Sequence, residues 1–279
     1  MIKVLTVPLS ENLTEFAEFL WSREIPHRIT EEEQSQTLWV PPNVRPEQIL
    51  FVYEQWKQGA DLSRIRVRKP AHQRLNPAAF PITMALLVIS GVISLLFGFG
   101  ENVQIMHWLT ITDFQVQGRS LVYTTLFETV ASLEWWRFIS PIFMHFNISH
   151  LVFNALWIWV IGRQIEQLQG PKVFLWVVIW SGITSNIGQF LISGPMFGGL
   201  SGVVYAVLGY TWLWDKLSER PVFGFPPALI VFMVVWLLLG YTGVLQAFGF
   251  GAIANTAHLA GLIAGLAAVP LVRWLFRTP

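Results

Sequence analysis

The sequence predicts a membrane all-α fold, a six-transmembrane-helix bundle preceded by a small N-terminal cytoplasmic α/β domain. Three observations predict it. Hydrophobic residues make up 53% of the chain and charged residues only 13%, a balance too apolar for an ordinary soluble domain. Most of the charge lies within residues 1–76. Beyond that point six apolar segments follow one another, each to be judged against the ~20 residues a helix needs to cross hydrocarbon.

Residues 1–62 read as the α/β domain, 63–80 as a basic linker and 81–279 as the bundle. "MIKVLTV" and "QTLWV" alternate like strands, whereas "ENLTEFAEFLWSRE" and "PEQILFVYEQWKQ" carry apolar residues at helical spacing. Ser10 is expected to cap the first helix and Gly59 to end the second. The N-terminus lacks the apolar core of a cleaved signal peptide. The spans are expected at 81–100, 147–168, 172–192, 201–215, 226–243 and 253–275. At about 15 residues the fourth is too short to cross fully. The stretch 101–146 is rich in aromatics such as Trp135 and Trp136, which suits a loop lying in the outer headgroup zone.

Basic residues orient the bundle. Arg64, Arg66, Arg68, Lys69 and Arg74 precede the first span and put the N-terminus in the cytoplasm. Six crossings then leave Arg163, Lys172, Lys216, Arg220, Arg273 and Arg277 inside, and only Arg119 and Arg137 outside. Both termini are therefore expected to be cytoplasmic. A net charge of +1 gives no reason to expect a nucleic-acid partner, and the absence of cysteine removes disulfides and thiolate chemistry. No cofactor and no metal is expected.

Polar groups inside such a bundle are costly and default to functional candidates. The set is short: His150, Asn154, Glu166, Asn186, Gln189, Ser201, Tyr205, Asn255 and His258. The second, fourth and sixth spans run in the same direction, so His150, Ser201 and His258 meet at one depth below the outer surface. His150 and Asn154 are four apart on one helix face, as are Ser201 and Tyr205. Ala257, Gly261 and Gly265 repeat every four residues beside His258. Gly202, Ala206 and Gly209 answer them on the fourth span, a pattern that lets two backbones approach closely. Ser201 could then hydrogen-bond His258, the minimum arrangement for covalent catalysis. The three aspartates, Asp61, Asp113 and Asp215, and Glu166 all lie away from that depth, so a Ser–His dyad is expected rather than a triad. Tyr205 could brace the imidazole. His150, Asn154 and the Ser201 N–H could face a developing oxyanion. Gly199, before the serine, supports a tight turn. Glu166 and the pair Trp136 and Arg137 are read as structural, and His107 and His145 as interfacial residues without chemistry.

"GLSG" opening a short span, His150 and Asn154 opening the second, "AHLAGLIAGL" around His258 and "WWR" in the first loop occur in one order along nearly the whole chain. In these features the sequence resembles the rhomboid intramembrane serine proteases, and among them the bacterial type with a cytoplasmic domain and six spans. The resemblance implies Ser201 as nucleophile, His258 as base, an oxyanion hole at His150 and Asn154, and Tyr205 stacked under the histidine. It also implies transmembrane protein substrates cut near the outer side of a bacterial inner membrane, with small residues preferred at the cut. Membrane lipids are the other expected partner. "GVLQAFGFGA" and the fifth span are the candidates for a mobile gate. Rival classes fit less well: "HExxH" metal ligands and paired membrane aspartates are both absent. A transporter would show an inverted repeat, and none is visible. A non-cutting relative should lack the serine or the histidine.

Overall fold

The computed structural model describes residues 2–32, 34–41, 44–61, 77–118, 120–219, 221–245 and 253–276. The linker expected at 63–80 lies outside them up to residue 76, and so do residues 246–252 of the expected gate loop. Arg64, Arg66, Arg68, Lys69, Arg74, Arg119, Arg220 and Arg277 of the charge argument also lie outside. The chain divides into two compact units, Met1–Leu75 and Asn76–Pro279.

The first unit runs β1 (Ile2–Pro8), α1 (Thr14–Ser22), β2 (Arg28–Glu32), β3 (Ser35–Val40) and α2 (Pro46–Lys57). The strands form one antiparallel sheet in the order β1-β3-β2. Alternation in β1 turns Leu5 and Val7 inward, where they meet Phe16, Leu20, Ile49 and Val52 of the two helices in one core. β2 was not expected from the sequence: "RITEE" is an edge strand with no alternating apolar face to announce it. The Ser10 expectation is corrected too. α1 starts at Thr14, whose N–H is taken by the Asn12 side chain at 2.9 Å. Gly59 does follow α2, at φ +86.

The second unit contains α3 (Pro81–Leu96), α4 (Val103–Leu109), β4 (Phe114–Gln117), β5 (Ser120–Tyr123), α5 (Leu126–Ala131), α6 (Ile148–Trp157), α7 (Arg163–Gln169), α8 (Pro171–Ser193), α9 (Ser201–Leu217), α10 (Pro227–Thr242) and α11 (Asn255–Phe276). A π-helical turn, Ile158–Gly162, joins α6 to α7. Each of the six expected apolar segments contains helix. Among the described residues α8 and α11 are long and apolar enough to cross a membrane, while α3 and α10 are apolar but shorter. Proline in the first turn of α3, α8 and α10 sets a helical φ where the N–H would have no partner anyway.

The stretch 101–146 is not an extended loop. It folds into α4, a β4–β5 hairpin, α5 and two 3₁₀ turns. Phe97, Met106, Phe114 and Met144 form its small core, which explains its aromatic content. Trp135 and Trp136 are exposed on it.

α9 is the axis of this unit. Every residue from Gly202 to Thr211 is buried, with α8 and α11 against it. A helix apolar on all sides needs protein around it, and α9 has it. The predicted small-residue seam forms: a Cβ on Gly261 would overlap the Gly202 carbonyl, and one on Gly265 would overlap that of Ala206. By contrast α10 buries only Met233 and Leu237.

Gly265→Ala should therefore force α9 and α11 apart and lower stability by about 1–3 kcal/mol, the usual cost of overpacking a tight core. The midpoint of unfolding in mixed micelles measures it, and an unchanged midpoint would refute the contact. In the first unit the Glu11 carboxylate accepts hydrogen bonds from Lys57 Nζ at 2.7 Å and from the Tyr53 hydroxyl. Those bonds hold its pKa below the ordinary value of 4.5. A depressed carboxylate gives stability that is present above the unfolded value and lost as pH falls through the folded one. Hydrogen exchange of the β1 and β3 amides, corrected for intrinsic rates, should rise as pH drops below 4.5, and Glu11→Gln should flatten that rise.

Candidate active site

The site is assembled by α6, α9 and α11. Ser201 is the first residue of α9, and no side chain caps this helix. His258 lies one turn into α11 and is almost wholly buried. Its Nε2 stands 2.7 Å from Ser201 Oγ. The seam sets that distance, because Gly202 directly follows Ser201 and Gly261 lies one turn beyond His258. A Cβ on Gly202 would also strike Ser185 Oγ at 2.5 Å.

The imidazole is held by packing. The Tyr205 ring stacks on it with centroids 4.7 Å apart and planes 27° from parallel. Tyr205 is itself fixed by a hydrogen bond from its hydroxyl to the Met233 carbonyl, 3.1 Å. His258 Nδ1 is buried and bonds to no group among the described residues, so no carboxylate completes a triad there. The N-terminus of α11 is anchored from α8, where Gln189 Oε1 accepts the Ala257 N–H at 2.9 Å.

α6 begins at an Asn147 cap, whose Oδ1 accepts the His150 N–H at 2.7 Å. His150 then lies against the turn before Ser201, since a Cβ on Gly199 would sit 2.6 Å from its Nε2. Gly199 also has φ +114, a conformation other residues rarely adopt. Asn154 is buried and gives one amide hydrogen to the His150 carbonyl at 3.0 Å, which orients its head group. Ser201, His258, His150, Asn154 and Tyr205 share one cavity of about 460 Å³. Its other walls are mostly apolar, among them Phe146, Phe153, Met196, Met233 and Trp236, and among the described residues no Asp, Glu, Lys or Arg lines it.

Three residues read as structural stand apart from this cavity. Glu166 accepts the N–H groups of Ile82 (2.7 Å) and Thr83 (2.8 Å) and the Thr83 hydroxyl (2.7 Å), capping the start of α3. Arg137 is completely buried. It bonds Glu134 and the carbonyls of His107 and Thr110, at 2.7, 2.6 and 3.1 Å. Trp136 Nε1 donates to the Trp108 carbonyl at 3.2 Å. Of the two histidines read as interfacial, His107 is partly exposed and pairs with Asp113 at 2.6 Å. His145 is a correction: it is wholly buried, next to the turn that leads into α9. Sequence spacing could not reveal this, because His145 precedes α6 and has no helical register with His150.

A hydroxyl and an imidazole in contact, enclosed by apolar helices, belong to the class of serine intramembrane proteases. The comparisons with known proteins carry the same class. A rhomboid domain model matches residues 132–275, just over half of the chain, and a rhomboid N-terminal domain model matches residues 1–65. The chain belongs to the rhomboid family. Proteins named rhomboid protease GlpG from Yersinia pestis (strain Pestoides F) and Yersinia pseudotuberculosis (strain YPIII) are 28% identical to it over 281 residues, 95% of either chain. That of Yersinia enterocolitica is 29% identical over the same share.

Glu166→Ala should leave two α3 amides buried without acceptors, at about 1–3 kcal/mol each. Denaturant unfolding should show that loss. An unfolding midpoint equal to the parent's would remove Glu166 from the framework.

Proposed function

We propose that this chain hydrolyses peptide bonds of transmembrane proteins near the outer face of the bacterial inner membrane. Ser201 Oγ attacks the scissile carbonyl while His258 Nε2 takes its proton. The amine leaves with that proton, and water then releases the acyl group from Ser201. The observation that carries this reading is the 2.7 Å hydrogen bond between the two side chains inside a cavity whose described lining carries no formal charge. His150, Asn154 and the Ser201 N–H, at the uncapped start of α9, stabilise the oxyanion. Tyr205 keeps the imidazole plane in register, the role an aspartate plays in a triad.

The apolar walls suit the end of a membrane-spanning segment. Its carbonyls are hydrogen-bonded while helical, so the segment must unwind to expose one to Ser201. The family resemblance adds a preference for small residues at the cut. Six crossings with both termini cytoplasmic fit the distribution of Lys and Arg. Residues 1–62 then form the cytoplasmic domain, 63–80 the linker and 81–279 the protease. α10, which buries only Met233 and Leu237 of its sixteen residues, together with the segment after it, is the gate by which substrate enters.

Purified Ser201→Ala and His258→Ala should each lose cleavage of a transmembrane substrate in detergent by on the order of 10⁴-fold or more. Undiminished cleavage by either would sink the dyad. Asn154→Ala should lower kcat by ~10²-fold, the scale of one oxyanion donor, with a smaller effect on the unfolding midpoint.

A further inference from the structure

The turn Phe197–Leu200 that delivers Ser201 lies on a bed formed by residues 141–145. Gly198 is pressed against it: a Cβ there would meet Met144 at 2.7 Å and the Pro141 carbonyl at 3.0 Å. The next two amides are both taken up. Gly199 N–H donates to the Pro141 carbonyl at 3.0 Å, and Leu200 N–H donates to His145 Nε2 at 3.4 Å. His145 is thus the side chain through which this bed grips the turn. Because Leu200 contributes a donor, Nε2 must present its lone pair and the ring hydrogen must sit on Nδ1. Nδ1 has the matching surroundings, with the Phe143 carbonyl and Ser94 Oγ each 3.2 Å away. The same ring stands edge-on to His150, centroids 4.9 Å apart. One buried imidazole therefore touches both sides of the cavity wall where an oxyanion would form.

We infer that His145 is a positioning residue for the proposed hydrolysis. It binds the Leu200 amide and backs the His150 ring, and so aims the Ser201 amide and the His150 side chain at the same point. It touches neither substrate nor nucleophile, and its effect on the reaction passes through those two groups. The inference rests on the Ser201–His258 reading of the site.

The test compares His145→Leu, which has no acceptor, with His145→Gln, which keeps one, in full-length protein cleaving a transmembrane substrate in detergent. His145→Leu should lower kcat by ~10-fold or more, a fraction of the effect of losing an oxyanion donor outright, with KM nearly unchanged. Labelling of Ser201 by a fluorophosphonate, whose phosphoryl oxygen needs the same donors, should slow in parallel. His145→Gln should recover most of both rates. Equal kcat in parent and His145→Leu would overturn the inference, as would a Gln variant no faster than the Leu variant at equal folded fraction. If His145→Leu shows no cooperative unfolding transition, Ser94→Ala decides. It removes a partner of Nδ1 without touching the turn, and unchanged labelling in it would also overturn the inference. Ser201→Ala is run beside them, since cleavage by that variant would fail the dyad itself and leave a different signature.

Discussion

The contact on which the rest of the protease unit depends is the approach of two helix backbones with nothing between them. At Gly202–Gly261 and Ala206–Gly265 the space a Cβ would need is filled by a carbonyl of the facing helix. In lipid there is little hydrophobic drive to bring helices together, so association comes from such van der Waals fit. The 2.7 Å distance between Ser201 and His258 is a consequence. Ser201 and His258 are single-turn neighbours of this seam, so their side chains reach each other only while the backbones stay this close. α9 gains a second consequence. Held by α8 and α11, it is sheathed in protein, which lets a helix of modest length occupy an interior the flanking helices shield.

The proposed dyad, without an acid, places unusual demands on the imidazole. In a triad the carboxylate selects the tautomer and offsets the charge that forms on the ring. Here, among the described residues, Nδ1 has no partner and the cavity lining carries no Asp, Glu, Lys or Arg. What remains is geometric control: the Tyr205 face against the ring, the Met233 carbonyl behind Tyr205, and Gln189 fixing the first turn of α11. An aromatic face is electron-rich, so it also favours a ring that becomes cationic during proton transfer.

Much of the site was legible in the sequence because helices impose fixed spacing. The four-residue interval between His150 and Asn154, and between Ser201 and Tyr205, put each pair on one face before any packing was known. The glycine and alanine repeats likewise announced which helices touch. Interactions between distant segments were not legible. Glu166 takes the N–H of Ile82, 84 residues earlier in the chain, at the start of α3, and no local pattern encodes that. His145 sits in a turn with no periodicity, and its environment is set by Ser94 and Leu200 from either side of the sequence. The hairpin and short helices of 101–146 were hidden for a related reason. Their aromatic residues serve a small local core, and to composition this looks the same as an interfacial loop.

Several polar side chains of this unit share one use, which distinguishes α9. A helix end in an apolar medium leaves N–H or C=O groups that must be satisfied within the protein. Asn147 caps α6, Glu166 caps α3, Gln189 takes an amide at the start of α11, and Asn255 donates to the Gly240 carbonyl near the end of α10 at 2.7 Å. α8 and α10 begin at proline, which removes a donor. α9 has neither a side-chain cap nor an initial proline, and its first residue lines the cavity. Its amides and the positive end of its dipole are therefore directed to a space that a substrate carbonyl can occupy. A cap on α9 would stabilise the fold but compete with the proposed oxyanion for the same donors, so on this reading stability is given up at a helix end where the chemistry needs it.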